Sequence, residues 1–122
     1  MIRVLIIEDE IALAKALRDS LLDKEFEPYI ATNGKEGLEA LHRYDPDVVL
    51  LDMVMPVMDG HQFLKKIKKL DKQYKIIVLS NNDSCDKYGK DHKVLLKNNV
   101  RLADLAKHIL DCLTNEKDVI LN

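Results

Sequence analysis

The chain has 122 residues, a mass of 14.0 kDa and 47% hydrophobic content, enough for one core that hides roughly 65% of the unfolded surface without a covalent or metal staple. Its 19 Lys and Arg against 21 Asp and Glu give a formal net charge of -2 and a pI near 6.1, without the basic excess of a phosphate-backbone binder, so no direct contact with nucleic acid is expected. Apolar runs such as Val48 to Leu51 fall far short of the ~20 residues a membrane helix needs.

The first such run, Arg3 to Ile7, leads straight into Glu8-Asp9-Glu10 with no small-residue cleavage site, so it reads as a strand rather than a signal peptide, and the expected location is cytoplasmic. Leu13, Leu17 and Leu21 then repeat at helical spacing. Glu27 to Ala31 is a second strand, in which Pro28 cannot donate a ladder hydrogen bond and so demands a sheet edge. Asn33 can cap a helix carrying Leu38 and Leu41, with Glu36 three residues on. Val48 to Leu51 is a third strand, and Phe63, Ile67 and Leu70 mark a third helix.

Lys75 to Leu79 and Val94 to Leu96 are the last two strands. The crossover between them, Ser80 to Lys93, is polar, contains Gly89 and has almost no apolar period, so the fourth helix is expected to be short or irregular. Leu102, Leu105, Ile109 and Leu113 give the closing helix its core stripe. Cys85 and Cys112 lack metal-ligand spacing and are expected to be reduced structural thiols. Alternating strands and helices predict an α/β, doubly wound, parallel five-stranded sheet in the flavodoxin-like order 2-1-3-4-5, which puts the second strand at an edge.

In such a sheet the ligand crevice lies beyond the strand carboxyl ends. Glu8 and Asp9 follow the first strand, Asp52 the third, Ser80 the fourth and Lys97 the fifth. The first and third strands are neighbours in this order, about 4.8 Å apart, so Asp9 and Asp52 can share one ion. An all-oxygen donor set suits Mg2+, or Mn2+, better than zinc. With that ion and Lys97 the site is near neutral and can receive a phosphoryl group, for which the Asp52 carboxylate is a possible nucleophile and the Ser80 hydroxyl a hydrogen-bond donor. Taken singly these residues have plainer roles: Glu8-Asp9-Glu10 as a helix cap, Ser80 as a turn residue, Lys97 as a surface charge.

The segment Asp52-Met53-Val54-Met55-Pro56-Val57-Met58-Asp59-Gly60 resembles the phosphoacceptor motif D-x-x-M-P-x-M-D-G of response-regulator receiver domains in two-component signalling. With Ile6 to Glu10, Ser80 and Lys97 in order, the resemblance spans essentially the whole chain. It implies that Asp52 is the phosphoacceptor, that Glu8, Asp9, Asp52 and the backbone carbonyl of Val54 hold Mg2+, and that Ser80 and Lys97 contact the phosphoryl group. It also implies a donor phosphohistidine on a sensor histidine kinase or phosphotransfer protein, output through a downstream effector protein, and a monomer or phosphorylation-dependent dimer. Such a domain is not a conventional enzyme, although it assists its own phosphorylation and autodephosphorylation. The expected organisation is one receiver domain over 1-122 with no output domain, because the last helix ends near Thr114.

Four departures from the family pattern cluster on the side that transmits the signal. Val94 stands at the switch position where an aromatic residue is usual. Asn98 replaces the proline that follows the lysine, which predicts a trans peptide and a reshaped loop, since a cis bond before a non-proline residue costs ~3 kcal/mol. Asn81 is larger than the usual Ala or Gly, and the stretch from Ser80 to Lys97 is short.

Other chemistries fit less well. A haloacid-dehalogenase-like phosphatase needs a second Asp where Val54 stands, and a nucleotide or flavin site needs a glycine-rich loop after the first strand. A pseudo-receiver, which binds partners without phosphorylation, is the alternative within the family. Lys65, Lys66, Lys68 and Lys69 read as a solvated face or a contact for an acidic partner. His42, His61, His92 and His108 have no ligand spacing, and Met53, Met55 and Met58 read as loop packing.

Overall fold

The computed structural model describes residues 1–22, 25–81 and 92–114. Its strands are β1 (Ile2–Ile7), β2 (Phe26–Ala31), β3 (Val48–Asp52), β4 (Lys75–Ser80) and β5 (Lys93–Leu96), and its helices are α1 (Ile11–Asp19), α2 (Gly34–Tyr44), α3 (Gly60–Ile67) and α4 (Leu105–Thr114). The strands form one sheet in the order β2-β1-β3-β4-β5, with every pairing parallel. Pro28 lies opposite Val4 on the edge strand, where its missing N–H faces no further strand. The expected short fourth helix and Cys85 lie outside the described residues.

Alternation along the central strands sends successive residues to opposite faces. Val4, Ile6, Val48, Leu50, Ile77 and Leu79 pack with Ala14 and Leu17 of α1 and Leu105, Ile109 and Cys112 of α4. Leu5, Ile7, Val49, Leu51, Ile76 and Val78 pack with Leu41 of α2 and Phe63, Leu64 and Ile67 of α3. Because both faces are covered, these strands are apolar at every position rather than at every other one.

The structure moves several element ends. β3 and β4 each run one residue further than the apolar pattern, so Asp52 pairs with Leu79, and Ser80 with Leu96, inside the ladders. Leu21 is fully buried although α1 stops at Asp19, and Leu70 follows α3. Leu102 is not part of the core stripe. It sits in a 3-10 turn, Leu102–Asp104, and is 39% exposed, because the tighter turn rotates it away from the face that Leu105, Ile109 and Cys112 share.

Two caps hold the helices that flank the candidate site. Asn33 Oδ1 accepts from the Glu36 N–H at 2.9 Å, and Glu36 Oε1 accepts from the Thr32 N–H at 2.9 Å. At α3 the Asp59 side chain accepts from the Gln62 N–H at 2.9 Å while Gln62 accepts from the Asp59 N–H at 3.1 Å, a reciprocal capping box.

Candidate functional site

Each acidic residue is delivered by the end of a strand. Glu8 follows β1 directly, and its N–H donates to the Ala31 carbonyl at 3.0 Å, which fixes it against the end of β2. Asp52 is the last residue of β3, and Asp9 lies one step past Glu8. One carboxylate oxygen from each of Glu8, Asp9 and Asp52 falls within 4.8 Å of the others. Glu8 and Asp52 are buried, whereas Asp9 is exposed. Asp9 therefore stands between the buried pair and solvent.

Lys97 closes the cluster from the far side of the sheet. Its Nζ lies 2.8 Å from Glu8 Oε1 and 3.1 Å from Asp52 Oδ1. The lysine follows β5 in a turn where its own N–H donates to the Ser80 carbonyl at 2.7 Å and the Asn99 and Val100 N–H groups both donate to Leu96. The described residues contain no cis peptide bond, so Lys97 is positioned with a trans bond to Asn98, as the sequence predicted. Ser80 is buried at the end of β4. Asn81 is exposed, and Val94 is half-buried against the α2 and α3 side of the sheet.

The remaining carboxylate oxygens are unevenly satisfied. Glu8 Oε2 accepts from the Glu10 N–H at 3.1 Å, and Asp52 Oδ1 accepts from the Val54 N–H at 3.2 Å. Glu8 thus braces the residue that precedes α1 but does not cap the helix, whose N-cap Glu10 makes no side-chain cap bond, and it faces Lys97 and Asp52 as well. Asp52 Oδ2 is buried with no hydrogen-bond partner among the described residues. A buried acceptor of this kind costs free energy unless something satisfies it. Three carboxylates, one of them with this unpartnered oxygen, form a hard, anionic donor set that fits a divalent cation of the Mg2+ type.

Burial pushes the Glu8 carboxyl up to about 7, against the opposing bonds from Lys97 and the Glu10 N–H. Burial also raises Asp52, partly offset by the Val54 N–H and Lys97. The same burial pulls the Lys97 ammonium down, but its bonds to Glu8 and Asp52 outweigh that and leave it above the ordinary lysine value. For Glu8 the folded chain holds a proton that the unfolded chain has already released between about pH 4.5 and 7. Its contribution to stability therefore falls as pH rises through that window.

A bound divalent cation opposes this trend, because it prefers the deprotonated carboxylates. At pH 8, Mg2+ at about 100 times its Kd is expected to stabilise the fold by about 2.7 kcal/mol, a rise of roughly 10 °C in melting temperature. At pH 5.5 the rise is expected to be much smaller. Thermal melts with Mg2+ or with EDTA at the two pH values check this, and equal shifts at both would contradict it.

Sequence reading placed Asp59 and Gly60 in the phosphoacceptor motif without a structural role and did not single out Gly34, yet all three hold the loop after Asp52. A Cβ on Gly60 would meet the Asp52 carbonyl oxygen at 2.6 Å and Met53 Cα at 2.7 Å. The Gly60 N–H donates to Met53 and the Gly34 N–H to Met58. Within that loop Val57 adopts φ 69°, a rare conformation for a β-branched residue, and the Met58 N–H donates to the Pro56 carbonyl at 2.7 Å. The Asp-x-x-Gln spacing could have signalled the Asp59 cap, whereas the close approaches at Gly60 and Gly34 leave no local sequence signal.

A family model described as the response regulator receiver domain matches residues 4–114. The chemotaxis protein CheY of Halobacterium salinarum is 36% identical over 93 residues, which cover 75% of this chain and 72% of that protein. The probable transcriptional regulator ycf29 of Porphyra purpurea is 36% identical over 76 residues, 62% of this chain and 36% of the relative. The matched stretch thus spans about a third of that longer protein. Among solved structures, the chemotaxis response regulator CheY4 of Vibrio cholerae superposes with a TM-score of 0.82 at 27% identity, over 93% of this chain and 99% of that one. The response regulator TrrA of Thermotoga maritima, in complex with Mg(2+)-BeF, gives 0.80 at 26% identity, over 93% and 100%.

Proposed function

The chain belongs to the response regulator receiver family, and from that premise we propose that it accepts a phosphoryl group on Asp52 in a Mg2+-dependent reaction and signals through phosphorylation-dependent protein contacts. The observation that carries this reading is the meeting of Glu8, Asp9, Asp52 and Lys97 at the carboxyl ends of β1, β3 and β5. The proposed donor is a phosphohistidine on a sensor histidine kinase or phosphotransfer protein.

In the proposed transfer an Asp52 carboxylate oxygen forms a bond to phosphorus as the P–N bond of the donor breaks. The imidazole nitrogen leaves with the electron pair and regains a proton. Oδ1 is held by the Val54 N–H and Lys97 Nζ, which fixes the plane of the carboxylate while Oδ2 carries no hydrogen bond among the described residues. Glu8, Asp9, Asp52 and the Val54 carbonyl are the proposed ligands of the cation. When bound, Mg2+ supplies positive charge to the phosphoryl oxygens and orients them for in-line attack.

Lys97 then exchanges a carboxylate for a phosphoryl oxygen, and the Ser80 hydroxyl donates to another. Hydrolysis of the acyl phosphate by water restores Asp52 and resets the domain. With Val94 at the usual aromatic position, the proposed response runs through Ser80 and the Lys97 turn without a ring to reorient.

Intact-mass spectrometry after incubation with acetyl phosphate tests the proposal. One phosphoryl adduct that needs Mg2+ is expected. If no adduct forms and a beryllofluoride mimic also fails to bind, the pseudo-receiver reading replaces it.

A further inference from the structure

The sequence from Gly60 to Lys75 carries six of the chain's 19 basic residues, Lys65, Lys66, Lys68, Lys69, Lys72 and Lys75, and only Asp71 of its 21 acidic ones. The chain as a whole is net negative, so the charge is strongly segregated. Phe63, Leu64 and Ile67 turn inward against the sheet, which leaves Lys65, Lys66, Lys68 and Lys69 exposed on the outer face of α3 and the turn after it. None of these four makes an ion pair with any described residue. Lys72, by contrast, is paired with Asp45.

Spacing makes the cluster electrostatically costly. Lys65 has like-charged neighbours at Lys68 and Lys69, and Lys66 has one at Lys69, the separations at which helical side chains meet and repel. Among the described residues the favourable end of the helix dipole offsets this. An external anion would turn all three repulsions into a shared attraction.

We infer that this face docks an acidic segment of a partner protein. The large apolar residues exposed in this structure are Met1, Ile11, Leu22, Val54, Val57, Leu102 and Leu110, and none lies on α3 or the turn after it, so the face has no side chain to insert into a lipid surface. The net negative remainder of the chain opposes a duplex or single strand, whose phosphates extend well beyond one helix. Four lysines also present compact, mobile charges without the bidentate geometry of arginine. That chemistry suits Asp- and Glu-rich polypeptide, which needs charge complementarity but no fixed fork. Contact with this face as proposed requires no phosphoryl group on Asp52.

Fluorescence anisotropy with a labelled, Glu-rich peptide tests the inference. Binding to the full chain at low salt is expected, weakening steeply as salt is raised. The variant Lys65→Gln/Lys66→Gln/Lys68→Gln/Lys69→Gln is expected to bind at least tenfold more weakly. A second variant, Lys15→Gln/Lys35→Gln/Arg101→Gln/Lys107→Gln, removes as many positive charges elsewhere and is expected to bind within twofold of wild type. Thermal melts establish that both variants are folded. Failure of the wild type to bind, or equal losses in both variants, overturns the proposal. So does tighter, α3-dependent binding to anionic phosphatidylserine vesicles or to a DNA oligonucleotide, which would assign the face to that ligand instead.

Discussion

Asp52→Asn is expected to take up no phosphoryl group from acetyl phosphate at any Mg2+ concentration at which the wild-type chain is labelled. The amide has nearly the same shape as the carboxylate, so β3 and its pairing with Leu79 should survive. What disappears is the anionic nucleophile, because an amide oxygen cannot form a stable acyl phosphate. A persisting adduct in the variant would move the acceptor to another residue.

The same substitution carries a second readout. It removes one negative charge from a buried cluster in which Asp52 helps to raise Glu8. In EDTA the variant is therefore expected to be more stable than wild type. In Mg2+ the order should reverse, since one proposed ligand has gone. Melting curves with and without the cation check both signs, and an unchanged Mg2+ response would remove Asp52 from the ligand set.

Gly60→Ala is expected to cost about 3 kcal/mol, the upper end of ordinary overpacking, and to lower the melting temperature by roughly 10 °C. The added methyl would collide with the Asp52 carbonyl oxygen and Met53 Cα. Both are backbone atoms, so no side-chain rotation relieves the contact. Relief requires shifting either the end of β3 or the start of α3, and α3 is pinned there by the Asp59–Gln62 cap. A variant that melts within about 2 °C of wild type would show that the loop yields far more readily than rigid overpacking allows.

The legibility of this fold varied with the physics behind each signal. Pro28 located an edge strand because a missing donor has few acceptable places in a sheet. Continuous apolar runs located the central strands because both faces are covered. The placement of Glu8, Asp9, Asp52 and Lys97 near one another followed from strand ends that must share a rim. Leu102 was misjudged because helical spacing continues in number through a 3-10 turn while the geometry does not. Gly60 was read as part of a motif but not for its packing, because close approach between backbone segments leaves no periodic trace. Asp59 looked like part of a motif and proved also to be a cap, a role visible only when paired with Gln62.

Lys97 has a consequence for the resting charge of the cluster. Its ammonium touches carboxylates from the ends of two different strands, so the chain carries its own counterion. Part of the carboxylate charge is thus neutralised by a group that is covalently attached and never diffuses away. The cost falls on affinity: an arriving cation must compete with a tethered charge already in place. A cation held by these carboxylates would share them with the lysine, and its affinity would be set against the repulsion between the two positive groups.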